Sequence, residues 1–118
     1  MLRSARIPAL LASTLLVLGV GSAQAGNPVA GKEKSQSCAA CHGETGASEN
    51  SQYPMLAGQH ESYLYHALKS YKNGDRQNAI MNGLASGLSD QDMRDLAAYF
   101  ARQEGLYTVS VDRDAAAE

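Results

Sequence analysis

The chain of 118 residues has no tryptophan, one phenylalanine, three prolines and two cysteines. Each scarcity excludes something. Two thiols cannot build a disulfide-rich scaffold, and at most one bridge could form. The large aromatic side chains that fill many small cores are nearly absent, although six tyrosines remain. A domain of this size has a marginal core and usually needs a staple. No charge dominates either, since 10 Lys and Arg stand against 12 Asp and Glu, for a formal net charge of −2. That balance argues against nucleic acid and against an anionic membrane surface as partner. No internal repeat is visible, and no segment requires a β-sheet.

The one sustained apolar stretch lies at the start. Arg3 and Arg6 form a basic beginning, Ala9 to Val20 is apolar, and Ala23-Gln24-Ala25 ends in small residues at cleavage spacing. The run is shorter than the roughly 20 residues that span a bilayer. Residues 1–25 therefore read as a cleaved secretory signal rather than a retained anchor, and no stable membrane insertion is expected. Cleavage after Ala25 would leave 93 residues from Gly26, with the net charge falling from −2 to −4.

What is present is concentrated in Cys38-Ala39-Ala40-Cys41-His42. Positions i, i+3 and i+4 share one helix face. Two thiols so spaced can form thioethers with the two vinyl groups on one haem edge, and a histidine directly after them can bring an imidazole nitrogen to the iron. A covalent haem c would supply the missing apolar bulk, and export suits its attachment outside the cytoplasm. A disulfide of the thioredoxin kind lacks a βαβ pattern to carry it, and a zinc site lacks a fourth ligand at matching spacing.

Three helices are expected in the mature chain. Asn27 caps the first and Pro28 opens it, running to Ser37 with the cysteine motif at its end. Gly43 to Gln52 is polar loop, and Tyr53 to Gly58 is a more apolar loop able to fold back on a cofactor. The second helix runs from His60 to Lys72, with Leu64, Ala67, Leu68 and Tyr71 on one face and Asn73-Gly74 as its stop. Asp75 to Leu88 reads as irregular, with at most a helical turn before Gly83. The third helix starts at Ser89, capped with Asp92 three residues on, carries the stripe Met93, Leu96, Ala97, Phe100, and ends at Gly105. Beyond it, 105–118 reads as a partly disordered acidic tail, with Tyr107 to Val111 possible extended chain.

With His42 on one side of an iron, the sequence offers Met55, Met81, Met93, His60 and His66 for the other. Met55 follows Pro54 on the loop expected beside His42, hence on the wrong side. Met93 belongs to a core stripe, and His60 and His66 read as helix-surface residues. Met81 sits in the irregular segment, where it could ligate or merely fill core space.

These residues resemble bacterial class I cytochromes c, and most of all one half of the dihaem cytochrome c4 proteins and the monohaem cytochrome c553-like proteins. The resemblance runs from about Gly26 to Gln103. It is carried by Cys-Ala-Ala-Cys-His-Gly at 38–43, Tyr-Pro-Met-Leu-Ala-Gly-Gln at 53–59, Ile-Met-Asn-Gly at 80–83 and Leu-Ser-Asp-Gln-Asp-Met at 88–93. It implies an all-α class I cytochrome c fold at 26–104, three main helices wrapped around one covalent haem c. It implies Cys38 and Cys41 as haem attachment points, His42 as proximal ligand and Met81 as distal ligand. It further implies a Pro54 carbonyl accepting from His42, Arg76 near a propionate, and Gly31 against Tyr99 where the first and last helices cross. One haem motif means that the two-domain form is absent, and Leu84 stands where some relatives have a second methionine.

The function so implied is that of a soluble periplasmic one-electron Fe(III)/Fe(II) carrier, not an enzyme. It would take electrons from a quinol-oxidising complex and pass them to an oxidase or reductase. The alternatives are a cytochrome c subunit of a larger oxidoreductase, or a ligand-binding haem protein with an open distal site.

Overall fold

A computed structural model describes residues 24–106. The leader expected at 1–25, save its last two residues, and the tail expected at 105–118, save its first two, lie outside the described residues. Five helices occur among the described residues and no strand: α1 Pro28–Lys34, α2 Gln36–His42, α3 Glu61–Asn73, α4 Ala79–Ser86 and α5 Asp90–Ala101. The fold is all-α.

The three expected helices are α1, α3 and α5, and two features differ from the sequence reading. The first helix is divided at Ser35, whose backbone N–H and hydroxyl both donate to the Lys32 carbonyl, at 3.2 and 2.8 Å. The Ser35 carbonyl then accepts from Cys38 and Ala39 and starts α2 afresh. The cysteine motif therefore has a helix of its own. The segment expected to be irregular contains the two-turn α4. Asn78 starts it, its Oδ1 accepting from the N–H groups of Ile80 and Met81. Gly83 signalled a break but is tolerated mid-helix, where a Cβ would meet nothing within 4 Å.

Helix α5 organises the rest. Its start is the expected capping box: the Ser89 hydroxyl accepts from the Asp92 N–H, and the Asp92 carboxylate from the Ser89 N–H. It ends at Ala101, before the expected Gly105, which packs on Ala57 instead. Residues Met93 and Asp95 to Phe100 are buried. Leu96, Ala97, Tyr99 and Phe100 join Leu64 of α3 in the core, with Leu56, Leu68 and Leu88 packed around them.

Helix α1 crosses α5 at very short range. A Cβ on Gly31 would run into the Asp95 carbonyl and lie 2.8 Å from the Tyr99 Cβ, so only glycine fits. The crossing is locked by Asp95, 3% exposed. It accepts from the Asn27 N–H at 2.8 Å, Lys34 Nζ at 2.7 Å and Gln91 Nε2 at 2.7 Å. Burial pushes the Asp95 carboxyl up, but these donors together hold it below its ordinary value.

Candidate functional site

Between α2, α3, α4 and the 52–59 loop lies a cleft of about 530 Å³, within the roughly 300–1,000 Å³ of small-molecule and cofactor sites. Its walls are mainly apolar, with Leu64, Leu68, Leu96 and Phe100 from the core side. Cys38, Cys41, His42, Pro54, Arg76 and Met81 all line it. The six residues that the resemblance assigns to the haem thus meet in one place, although 43 positions separate the first from the last.

Cys38 and Cys41 are free, half-buried thiols one helical turn apart on α2. Burial pushes the Cys38 thiol up, against a hydrogen bond from Ser37 that lowers it. Among the described residues no three His, Cys, Asp or Glu side chains converge as a structural zinc site would need.

His42 is the last residue of α2 and is buried, 7% exposed. Gly43 follows at φ +84°, a left-handed turn that suits glycine, and directs the chain into the loop. The His42 Nδ1 lies 2.8 Å from the Pro54 carbonyl. A carbonyl only accepts, so Nδ1 carries the proton and Nε2 keeps the lone pair a metal requires. The loop that delivers Pro54 is seated on α5. Tyr99 Oη donates to the Glu44 carbonyl at 3.0 Å, and Gly58 N–H to the Phe100 carbonyl at 3.0 Å. Within the loop the Gly46 carbonyl accepts from Leu56 and Ala57, at 2.8 and 3.1 Å.

The five candidates for the opposite ligand separate. Met93 is 2% exposed in the core and His60 is exposed at the start of α3; neither lines the cleft. His66 is exposed, its ring edge-on to Tyr65 at 5.2 Å, beside a separate recess. Met55 and Met81 both line the cleft. Met55 directly follows the proline whose carbonyl holds His42, whereas Met81 comes from α4. Arg76 is exposed on the rim, its guanidinium 4.7 Å from the centroid of the Tyr71 ring.

Three contributors went unrecognised in the sequence. Tyr53 sets its ring edge-on to His42 at 6.2 Å. Asn82 ties α4 to the end of α3. Asp95 was hidden as one polar residue inside the apolar stripe of α5, which was itself the available signal.

The donor set fits a haem joined by thioethers: two thiols at i and i+3, an imidazole whose proton is fixed away from the metal side, and an apolar cleft. Residues 28–103 match the cytochrome c family. The chain belongs to the cytochrome c family. Members are haem c electron-transfer proteins, and the haem is covalently bound. The chain is 48% identical over 97 residues to cytochrome c4 of Pseudomonas aeruginosa, covering 80% of this chain and 48% of that protein. It is 43% identical over 83 residues to cytochrome c-554(548) of Halomonas halodenitrificans, covering 68% of this chain and 100% of the relative. Among solved structures, reduced recombinant cytochrome c4 from Pseudomonas stutzeri superposes with a TM-score of 0.66 at 42% identity, covering 70% of this chain and 48% of that one. The chain thus spans about half the length of the cytochrome c4 proteins it matches, in keeping with a single class I domain. Among the described residues no helix is long and apolar enough to cross a membrane.

Proposed function

We propose that this cytochrome is a periplasmic one-electron carrier whose haem c is attached through Cys38 and Cys41, with His42 and Met81 as axial ligands. The observation that carries the reading is the meeting of both thiols, His42 and Met81 in one apolar cleft, which Met93, His60 and His66 do not line. When bound, haem c exchanges one electron by cycling between Fe(III) and Fe(II). The chain's own residues set the terms. His42 holds its proton at Nδ1 against the Pro54 carbonyl, which presents Nε2 and raises its donor strength. Met81 offers a neutral, soft thioether that favours the ferrous state. The leucines and Phe100 keep the centre dry and disfavour the added charge of the ferric state. Two protein ligands from His42 and Met81 would leave the metal no place for a substrate, so electron exchange rather than bond chemistry would follow. Arg76 on the rim would compensate a propionate. Export rests on the 1–25 leader, and the proposed partners are a quinol-oxidising complex upstream and an oxidase or reductase downstream.

The test is a reduced-minus-oxidised spectrum of the purified protein with a redox titration and an intact mass. The expected results are the added mass of one haem, a far-red methionine–iron charge-transfer band in the ferric state, and ferrous protein slow to bind carbon monoxide. His42→Ala should abolish stable holoprotein. Met81→Ala should keep the haem and lower the potential by on the order of a hundred millivolts. Rapid carbon monoxide binding by the wild type, or an unchanged potential in Met81→Ala, would overturn the ligand assignment.

A further inference from the structure

Met81 is carried by a two-turn helix that shares few buried residues with the core, Ala85 alone being fully covered. Something else must hold its position. The Asn82 carboxamide makes three hydrogen bonds, using both of its donor hydrogens and its oxygen. Nδ2 donates to the Tyr71 carbonyl at 2.6 Å and to the Arg76 carbonyl at 2.8 Å. Oδ1 accepts from the Asn78 N–H at 2.8 Å. The Asn82 backbone N–H returns to the Asn78 carbonyl at 2.8 Å. Asn78 in turn receives the Met81 N–H on its own Oδ1 at 3.0 Å. The backbone of Met81 is therefore bracketed by two asparagines. One of them reaches the last turn of α3 and the 74–78 connection together.

No other side chain of this length supplies two donors and one acceptor in that arrangement. Aspartate keeps the acceptor, but turns both donors into a carboxylate oxygen facing two carbonyls. Leucine keeps the bulk and loses every bond. We propose that Asn82 is the positioning residue for Met81, its carboxamide limiting how often the thioether leaves the iron. This inference rests on the Met81 ligand reading above.

An external ligand can take the iron only from the fraction of molecules in which the thioether has left, so its apparent affinity measures that fraction. Imidazole titrated into ferric holoprotein reads it directly, followed by loss of the far-red band and, in variants without that band, by the shift of the main haem absorption. Asn82→Asp and Asn82→Leu should lower the half-saturating imidazole concentration roughly tenfold or more, in line with the loss of a partly buried hydrogen-bonded group. If the leucine variant fails to accumulate, Asn82→Asp carries the test. Asp95→Asn, at the distant α1–α5 crossing, should lower the melting temperature and leave the imidazole midpoint where it is. Midpoints of the Asn82 variants equal to wild type, or moved no further than in Asp95→Asn, overturn the inference. A Met81→Ala variant that binds imidazole no more tightly than wild type overturns the ligand reading itself, and the inference with it. If Met81→Ala binds tightly and the Asn82 variants do not, the inference alone falls.

Discussion

Two of the helix junctions in this cytochrome are held by different chemistry. At the α1–α5 crossing the contact is backbone against backbone through Gly31, closed over by a buried carboxylate with three donors. At the α3–α4 junction the contact is a neutral carboxamide between carbonyls and an amide N–H, on a helix with few buried residues. The first junction is dense and charged, and neither Gly31 nor Asp95 lines the cleft. The second is lighter, uncharged and next to Met81. The difference suggests a division of labour in which one junction secures the fold and the other tunes the metal.

Substitutions at the first junction should therefore move stability and leave the redox potential alone. The largest effect is expected from Gly31→Val, which forces side-chain atoms into the Asp95 carbonyl. A loss of about 3 kcal/mol or more would lower the melting temperature by at least ~12 °C in a domain of this size. Asp95→Asn comes next, at about 2 kcal/mol, because charge-assisted bonds to Lys34 and two further donors are weakened together. Tyr99→Phe removes only the bond to Glu44, about 1 kcal/mol. It sharpens the comparison, because Tyr99 belongs to the crossing yet anchors the loop that carries Pro54. A change in the potential of Tyr99→Phe, absent in Asp95→Asn, would locate where the two junctions communicate. Each stability is read by thermal melts and each potential by titration of the same preparation.

The smallest effect is a pH dependence. A hydrogen bond from Lys34, with others from Ser89, holds Asp92 at about 2, below its ordinary 3.8. Asp95 is lowered as well, its burial outweighed by its donors. A depressed carboxyl contributes stability that is present above its unfolded value and lost as the pH falls through its folded one. The crossing should thus weaken between about pH 4 and pH 2. The Lys34 ammonium is raised above 10.5 by the hydrogen bonds it donates to Asp92 and then to Asp95, so its share is lost only as the pH rises past that raised value. Lys34→Met should flatten the acid limb of a melting-temperature profile. A limb equally steep in Lys34→Met would mean that Lys34 does not set the titration of the crossing.

What the sequence revealed was what neighbours in the chain determine. Cys38, Cys41 and His42 are legible because the proposed attachment would need them within one helical turn. The Ser89–Asp92 box and the Gly74 cap are legible because caps are local. Met81 was one of five candidates by position and its choice as ligand came from a resemblance, while its helix was missed because Gly83 reads as a break and Asn78 gives only a modest start signal. Asn82 was illegible for a further reason: its partners Tyr71 and Arg76 lie outside its own helix, and no periodicity relates them. Asp95 was concealed likewise, since Asn27 and Lys34 are 68 and 61 positions away.

The bond between His42 and Pro54 has a consequence for the order of events. On the proposed assignment the residues that take the porphyrin sit within five consecutive positions, so a still unfolded polypeptide would already display them together. The carbonyl that orients the imidazole arrives only when the loop has closed onto the last helix. On that assignment ligation could begin on a short peptide, while the imidazole would take its final orientation only in the complete fold.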